Sequence, residues 1–395
     1  MITVAEAKQI VLEKTPPGPK TTLSLRKILG CVLAEDVFSP IDSPPFDSSA
    51  MDGFAIDHTE APGHFKKSGT ITAGEGVRKK IVKGECLEIM TGARIPEGAT
   101  AVVPYEEAGQ KEKEVIVAGA VPDGAHIRRE GEQLQRGELV LPAGARLRAG
   151  AVGFLASLGV LEVPVRRPPK VFVLPTGSEL VSDSKDLRED KIFESNGLCL
   201  QTALQGIPAE VTVSHPLPDL PKILSGVLED ALRDYDMILI SGGVSVGKHD
   251  YVKNVLEKFK VQTLFWGVAQ KPGKPLYFGK KGETLVFGLP GNPASSLVCF
   301  YEYVRPAVFK WLGDLEPELK EAKAALAKSF IKKEGRTHFV RAFAQPQNGR
   351  WLVRPLEGQD SHFMKSFALA NCLMIAPQDE DRIDEGEEVT IQWLP

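Results

Sequence analysis

The chain has few cysteines, and they form no pattern. Cys31, Cys86, Cys199, Cys299 and Cys372 are scattered, and no pair has metal-site or redox spacing. Their odd number argues against a disulfide framework, and most read as small core residues. No apolar run is long enough to span a bilayer. Residues 1–8 lack a basic start followed by a long apolar stretch, so they do not read as a signal peptide. Excess charge is missing too. Lys and Arg total 48 against 52 Asp and Glu, a net −4 that does not point to nucleic acid. Internal repeats and low-complexity segments are also absent. What remains is the expectation of a cytoplasmic globular enzyme. Its 395 residues suit about two to four domains.

What is present is a set of glycine-rich turns. Asp236 to Ile240 is a short apolar run that reads as a buried strand, and Tyr251 to Leu256 reads as a helix. Between them lies Ser241-Gly242-Gly243-Val244-Ser245-Val246-Gly247-Lys248-His249-Asp250. In an open parallel sheet such a turn lies at the carboxyl edge, where ligands bind. Glycines let backbone N–H groups approach an anion, and a helix N-terminus favours negative charge. The segment reads either as a phosphate-binding turn, with Asp250 as a metal-bridging carboxylate, or as a tight turn with Asp250 as an N-cap.

Two more strands end the same way. Val171 to Leu174 runs into Pro175-Thr176-Gly177-Ser178-Glu179, and Leu285 to Leu289 runs into Pro290-Gly291-Asn292-Pro293. The three edges are expected to converge on one face of a parallel sheet. Between them, Gln270-Lys271-Pro272-Gly273-Lys274-Pro275 carries two lysines on a stiff turn, a compact charge suited to oxyanions. Glu179 and Asp250 each follow a strand at the same edge, which makes them the magnesium candidates, because hard cations take carboxylate oxygens beside phosphate. Glu179 also suits the first turn of a helix.

The organisation follows from periodicity. Val4, Ala7, Ile10 and Val11 predict an opening amphipathic helix over residues 3–14. Leu23 to Phe38 predicts helix and a short strand, and about 69–142 alternates apolar runs with Gly and Pro, a β-rich pattern. Leu147 to Leu158 reads as helix. After it, strand and helix alternate to about 312, implying a three-layer α/β domain. One helix is predicted from a Ser195-Asn196 cap to Gly206, another from Leu220 to Leu232, and a long one from Ala294 to Trp311. Short strands at Phe339–Phe343, Trp351–Val353 and Val389–Ile391 suggest a small all-β end. The expected domains are 1–42 plus 143–168, 43–142, 169–315 and 316–395.

Five motifs, in order, resemble the MoeA family of molybdopterin molybdenumtransferases, which includes the E domain of gephyrin. They are Pro44-Pro45-Phe46-Asp47-Ser48-Ser49-Ala50-Met51-Asp52-Gly53-Phe54-Ala55, Met90-Thr91-Gly92-Ala93, Ser241 to Asp250, Lys271 to Pro275, and Gly288 to Pro293. The resemblance implies a multidomain α/β protein. A central Mog-like domain with a mostly parallel sheet is joined to a β-rich insertion domain, a helical linker domain and a small C-terminal β-barrel-like domain. It implies the last general step of molybdenum cofactor synthesis. Adenylylated molybdopterin and molybdate are substrates, the phosphoanhydride is cleaved with Mg2+, AMP leaves, and molybdenum stays on the dithiolene. It also implies a homodimer and transient contact with other cofactor-synthesis proteins or apo-molybdoenzymes.

Roles carry over residue by residue. Asp250 and Glu179 match carboxylates that hold magnesium by the nucleotide phosphate. Gly242, Gly243, Ser245 and Gly247 cradle the phosphate or pterin, with Thr176, Gly177, Ser178 and Pro290 on the neighbouring loops. Lys271 and Lys274 match lysines beside molybdate and the pterin phosphate, and Ser295 could donate to an oxyanion. Arg341 and Ser366 resemble molybdate contacts. Bottom-up they are a strand arginine and a loop hydroxyl. Asp52 and Thr91 match residues that face the partner subunit's site. Alone, Asp52 is a turn aspartate. The chain departs from the usual pattern at Phe54 (commonly tyrosine), Gln133 (commonly a carboxylate), Lys248 (commonly acidic) and Lys365 (commonly serine), which puts in doubt a role for Gln133 and the fine geometry of the oxyanion site. Two rival expectations are an adenylyltransferase step of the Mog type and a non-catalytic pterin-binding scaffold. The insertion and the C-terminal β domain favour the transferase over a single-domain Mog-type chain.

Overall fold

The structure, a computed structural model, describes residues 1–75, 79–243, 251–332 and 335–395, with Tyr251 and Lys253 described by backbone only. Residues 1–35, 144–148 and 164–395 form one compact unit, and residues 36–143 and 149–163 form another.

The larger unit is built on a six-stranded sheet. Strands Glu210–Val213, Lys170–Pro175, Met237–Ser241 and Thr284–Leu289 run parallel, and Tyr277–Lys281 and Gln262–Trp266 complete the sheet antiparallel. The central strands carry continuous apolar runs, at residues 171–175, 237–240 and 285–289, because both faces are covered. Successive side chains point to opposite faces. Val171, Val173, Met237, Leu239, Leu285 and Phe287 therefore enter one core with Leu200 and Leu204 of helix Asn196–Gln205. Phe172, Leu174, Ile238, Ile240 and Val286 enter the other with Leu224 and Leu228 of helix Pro221–Asp234. This is the expected three-layer α/β arrangement.

The opening helix, Val4–Lys14, begins with a capping box between Thr3 and Glu6 and buries Ala7 and Val11 in the first core. The helical stretch expected over Ala294 to Trp311 is present in three pieces. Helix Pro293–Cys299 passes through a π-helical turn, Phe300–Val304, into helix Arg305–Trp311. Pro306 lacks an N–H and crowds the carbonyl four residues back, so a wider turn precedes it. Two local expectations are corrected. Leu23 to Phe38 contains only a short 3-10 turn at Leu25–Lys27, not a helix, and Gly30 leaves the helical region at φ 80°. Ser195 makes no capping bond. Glu194 Oε1 accepts the Gly197 N–H instead, at 2.7 Å.

The C-terminal strands Thr337–Gln347, Arg350–Pro355, Glu321–Leu326, Glu388–Trp393 and Cys372–Ala376 pair in that order, and the last pairs back with the first. They close a five-stranded barrel. Its core mixes small residues, among them Ala324, Ala342, Ala344 and Ala376, with larger ones such as Leu326, Val340, Met374 and Ile391. One further strand, Gln270–Lys271, joins this sheet by pairing parallel with Thr337 and His338. That contact sets the lysine loop against the barrel.

The smaller unit holds a six-stranded sheet in the order Ala101–Pro104, Gly53–Ile56, Glu85–Ile89, Gly63–Ile71, Glu114–Val117, Ala108–Lys111. Phe54, Phe65 and Val103 fill one face, and Ala55, Leu87 and Val102 the other. Among the described residues, no helix is long and apolar enough to cross a membrane.

Candidate functional site

Three parallel strands end in register, with Pro175 opposite Ser241 and Ser241 opposite Leu289. The loops that follow line a cleft of about 570 Å³ at the carboxyl edge of the sheet. Thr176, Glu179, Gly242, Gly243 and Pro290 all border it. Glycine is required at the turn. Gly242 has φ 99°, and a Cβ there would lie 2.3 Å from the Thr176 carbonyl oxygen. At Gly243, with φ 65°, it would meet Val252 at 2.6 Å.

The cleft is polar, and several of its groups are unsatisfied. Among the described residues, Asn196 Oδ1 is buried without a hydrogen-bond partner, and Thr176 Oγ1 and Asp219 Oδ1 are buried with no partner beyond each other. Buried polar atoms are normally fully paired, so this under-satisfied group on one cleft fits a polar ligand. Asn196 also ties two edge loops together, donating from Nδ2 to Ser241 Oγ at 2.7 Å and to the Gly291 carbonyl at 2.8 Å. Burial pushes the Asp219 carboxyl up, and the Glu179 carboxylate reinforces the shift. Two carboxylates and a hydroxyl on one cleft are an all-oxygen donor set, and such a set fits a hard divalent cation beside phosphate. Among the described residues, no three His, Cys, Asp or Glu side chains converge as a closed metal cage. An open site completed by substrate oxygens fits this better. Ser245, Gly247, Lys248 and Asp250 lie outside the described residues.

A second cavity, of about 380 Å³, lies where the lysine loop meets the barrel. Lys271, Lys332, His338, Arg341 and Asp360 line it. Arg341 is completely buried. Its Nη2 donates to the carbonyls of Gly358 and Asp360, at 2.9 and 3.0 Å, and its Nε to Ser366 Oγ at 3.2 Å. Its Nη1 is buried with no partner, as is His338 Nε2. Burial lowers the Arg341 guanidinium to about 10. Lys332 is buried as well, its ammonium donating to the carbonyls of Arg336 and Gln378, both at 3.0 Å. Among the described residues on this wall, positive groups therefore outnumber the carboxylate of Asp360, as suits an oxyanion receptor.

The lysine loop and the 356–363 segment each border both cavities. Lys271 and Pro272 line the second and Pro275 the first. Gln359 and Asp360 line the second and His362 the first. The lysine loop is held from within. Gln270 Nε2 donates to the Pro272 and Gly273 carbonyls, and Tyr303 hydroxyl donates to Gln270 Oε1. Gly273, at φ 94°, leaves no room for a Cβ beside Cys299 and Gln270.

Several expected site residues sit elsewhere. Lys274 is exposed and lines neither cavity, and neither do Gly177, Ser178 and Ser295, the last buried in its helix. Ser366 is buried and donates to the Gly358 carbonyl at 2.8 Å, so it orients Arg341 and the adjoining loop. In the smaller unit, Asp52 accepts both the backbone N–H and the hydroxyl of Thr91, at 2.6 and 2.8 Å, on an exposed surface. These bonds lower the Asp52 pKa. Gly53 is fixed by the Val103 carbonyl, only 2.1 Å from any added Cβ. Phe54 is core, edge-on to Tyr105, and Gln133 accepts from Ser43 Oγ at 3.0 Å.

Sequence reasoning missed Asp219, Asn196, Lys332 and His338. Asp219 was recoverable, since it precedes Pro221 in the loop after a fourth parallel strand. Asn196 was read only as a helix cap. Lys332 and His338 carry no local signal, because the Lys271 to His338 pairing that gathers them spans distant parts of the chain.

The sequence matches the MoeA N-terminal region (domains I and II) over residues 2–159, a probable molybdopterin binding domain over 172–310, and the MoeA C-terminal region (domain IV) over 323–394. It is 37% identical to the molybdopterin molybdenumtransferase of Haemophilus influenzae over 99% of this chain and 98% of that protein. The Staphylococcus aureus protein of the same name is 33% identical over 99% and 95%. Among solved structures, the molybdopterin biosynthesis MoeA protein of Pyrococcus horikoshii superposes with a TM-score of 0.82 at 30% identity, covering all of both chains.

Proposed function

This chain belongs to the MoeA family of molybdopterin molybdenumtransferases, enzymes of molybdenum cofactor biosynthesis, and we propose that it transfers molybdenum from molybdate to adenylylated molybdopterin with magnesium-dependent phosphoanhydride cleavage and AMP release. The observation that carries this reading is the pair of cavities in one compact unit, bordered by the same two loop segments. One is an oxygen-lined cleft at a glycine turn, and the other is a cationic pocket with a buried, unpartnered arginine nitrogen.

In this reading residues 169–315 hold the adenylylated pterin. Backbone N–H groups at Gly242 and Gly243, with the Thr176 hydroxyl and Asn196, orient the phosphates. Glu179, Asp219 and Asp250 hold magnesium, which supplies neutralisation of the charge that develops as the anhydride breaks. Residues 316–395 hold the oxyanion through Arg341, which Ser366 orients. Lys271 faces it from the lysine loop, which also carries Lys274. Molybdate thereby waits beside the pterin without competing with its phosphates for magnesium. Asp52 and Thr91 serve the site of a second copy in a cytoplasmic homodimer. The finished cofactor passes to apo-molybdoenzymes by transient contact.

The test is AMP release from adenylylated molybdopterin, followed with and without molybdate. Release that depends on molybdate and magnesium is expected. Tight pterin binding with no AMP release at any molybdate concentration would make the protein a scaffold instead.

A further inference from the structure

His338 is buried on the wall of the oxyanion cavity, and its Nε2 has no hydrogen-bond partner. It stands directly across from Lys271 in the parallel pairing, on the strand that also carries Arg341. Among the described residues, the groups around it are these. Phe330 meets the ring edge-on at 6.3 Å. Lys332 follows the strand of Phe330, and Arg336 precedes the strand of His338. Opposite, in the antiparallel pairing, is Ala376, which carries no charge. Asp360 and Gln359 close the cavity from the 356–363 segment. A buried, unpartnered imidazole among cations has no evident structural purpose, since burial without a partner costs stability.

We propose that His338 is the proton-accepting residue of the oxyanion cavity, so that a tetrahedral dianion enters together with one solvent proton, which is held on the His338 ring as Nε2–H. No covalent bond breaks in this step, and the protonated ring donates to an anion oxygen. The inference rests on reading this cavity as the molybdate site, and it adds the ionic form that the site accepts.

The direction of the pH effect follows. Burial, then the Lys271, Lys332 and Arg336 charges, hold the ring's pKa down at about 4, so at neutral pH it is uncharged. A dianion beside it favours the imidazolium and raises that pKa. Between the two values binding draws in a proton and affinity falls by about tenfold per pH unit as pH rises, levelling off above the bound-state pKa. Dianions are thereby favoured over monovalent anions, which raise the ring's pKa less.

The experiment is calorimetric titration of the full chain with sodium molybdate from about pH 6 to 8, in buffers of different ionisation enthalpy, with sulfate as a dianion that does not itself titrate there. About one proton taken up per bound anion is expected at the acid end. In His338→Gln and His338→Asn the uptake should vanish while weaker, pH-flat binding persists. A wild type that binds molybdate with no proton uptake overturns the proposal even if neither variant folds, and so does unchanged uptake in a folded variant. Arg341→Gln separates the two claims. If it binds molybdate as wild type does, the cavity is not the oxyanion site. If it loses binding while His338→Gln keeps its proton uptake, only the role of His338 falls.

Discussion

Gly242 shows how much one residue can decide at this site. Its positive φ and the Thr176 carbonyl 2.3 Å from any Cβ make it a backbone requirement. Gly242→Ala should cost about 1–3 kcal/mol in stability and, because the loop must shift, a larger share of activity than of stability. Chemical denaturation and AMP release on the same preparation check this. Wild-type activity in a destabilised variant would mean that the turn does not shape the cleft. The glycine and the carboxyl-edge location were legible in the sequence because both are local properties of a strand ending in Gly. Asp219, which also lines the cleft, was missed although the loop after the fourth parallel strand offered it. Arg341 was open between a surface arginine and a ligand contact. Its complete burial, with one nitrogen left over, is a tertiary fact that no single sequence window contains.

Among the elements, the helical run from Pro293 to Trp311 anchors the larger unit, and its π-helical turn carries a buried charge. Glu302 is 1% exposed, and Lys8 of the opening helix reaches it at 2.7 Å, with Glu318 3.4 Å from the same ammonium. Burial pushes the Glu302 carboxyl up, and the Lys8 charge opposes this. Removing only the lysine leaves a buried carboxyl unpaired. Lys8→Met should therefore destabilise by about 3–5 kcal/mol, and Lys8→Met with Glu302→Leu should recover most of that loss. Urea unfolding of wild type, Lys8→Met, Glu302→Leu and the double variant decides it. An additive double variant would mean that the two side chains are not coupled. The helix was readable from its apolar period, but the Lys8–Glu302 pairing was not, because Lys8 lies at the other end of the chain. The same division holds for the sheets. The α/β strands were legible as continuous apolar runs, whereas closure of the C-terminal barrel depends on pairing between strands distant in sequence.

At the scale of the whole molecule, the exposed Asp52–Thr91 pair belongs to one compact unit and the two cavities to the other. If Asp52 serves a second copy, Asp52→Ala and Lys274→Ala, each inactive alone, should restore each other in part when subunits exchange, since one of the two sites in the mixed dimer is then intact. Demonstrated exchange with no recovery would contradict the shared site. The family membership was legible from five ordered motifs alone. The division of labour between two cavities was not, because it needs the lysine loop paired to the barrel. The most direct test of that division measures two affinities on two variants: molybdate half-saturation of AMP release, and AMP binding at equilibrium. Losing a charge-assisted bond of about 1.5–3 kcal/mol, Arg341→Gln should raise molybdate half-saturation about ten- to a hundred-fold and leave AMP binding unchanged, while Asp219→Asn should slow AMP release at saturating molybdate and leave molybdate half-saturation unchanged. Parallel loss of both affinities in both variants would contradict two separate sites.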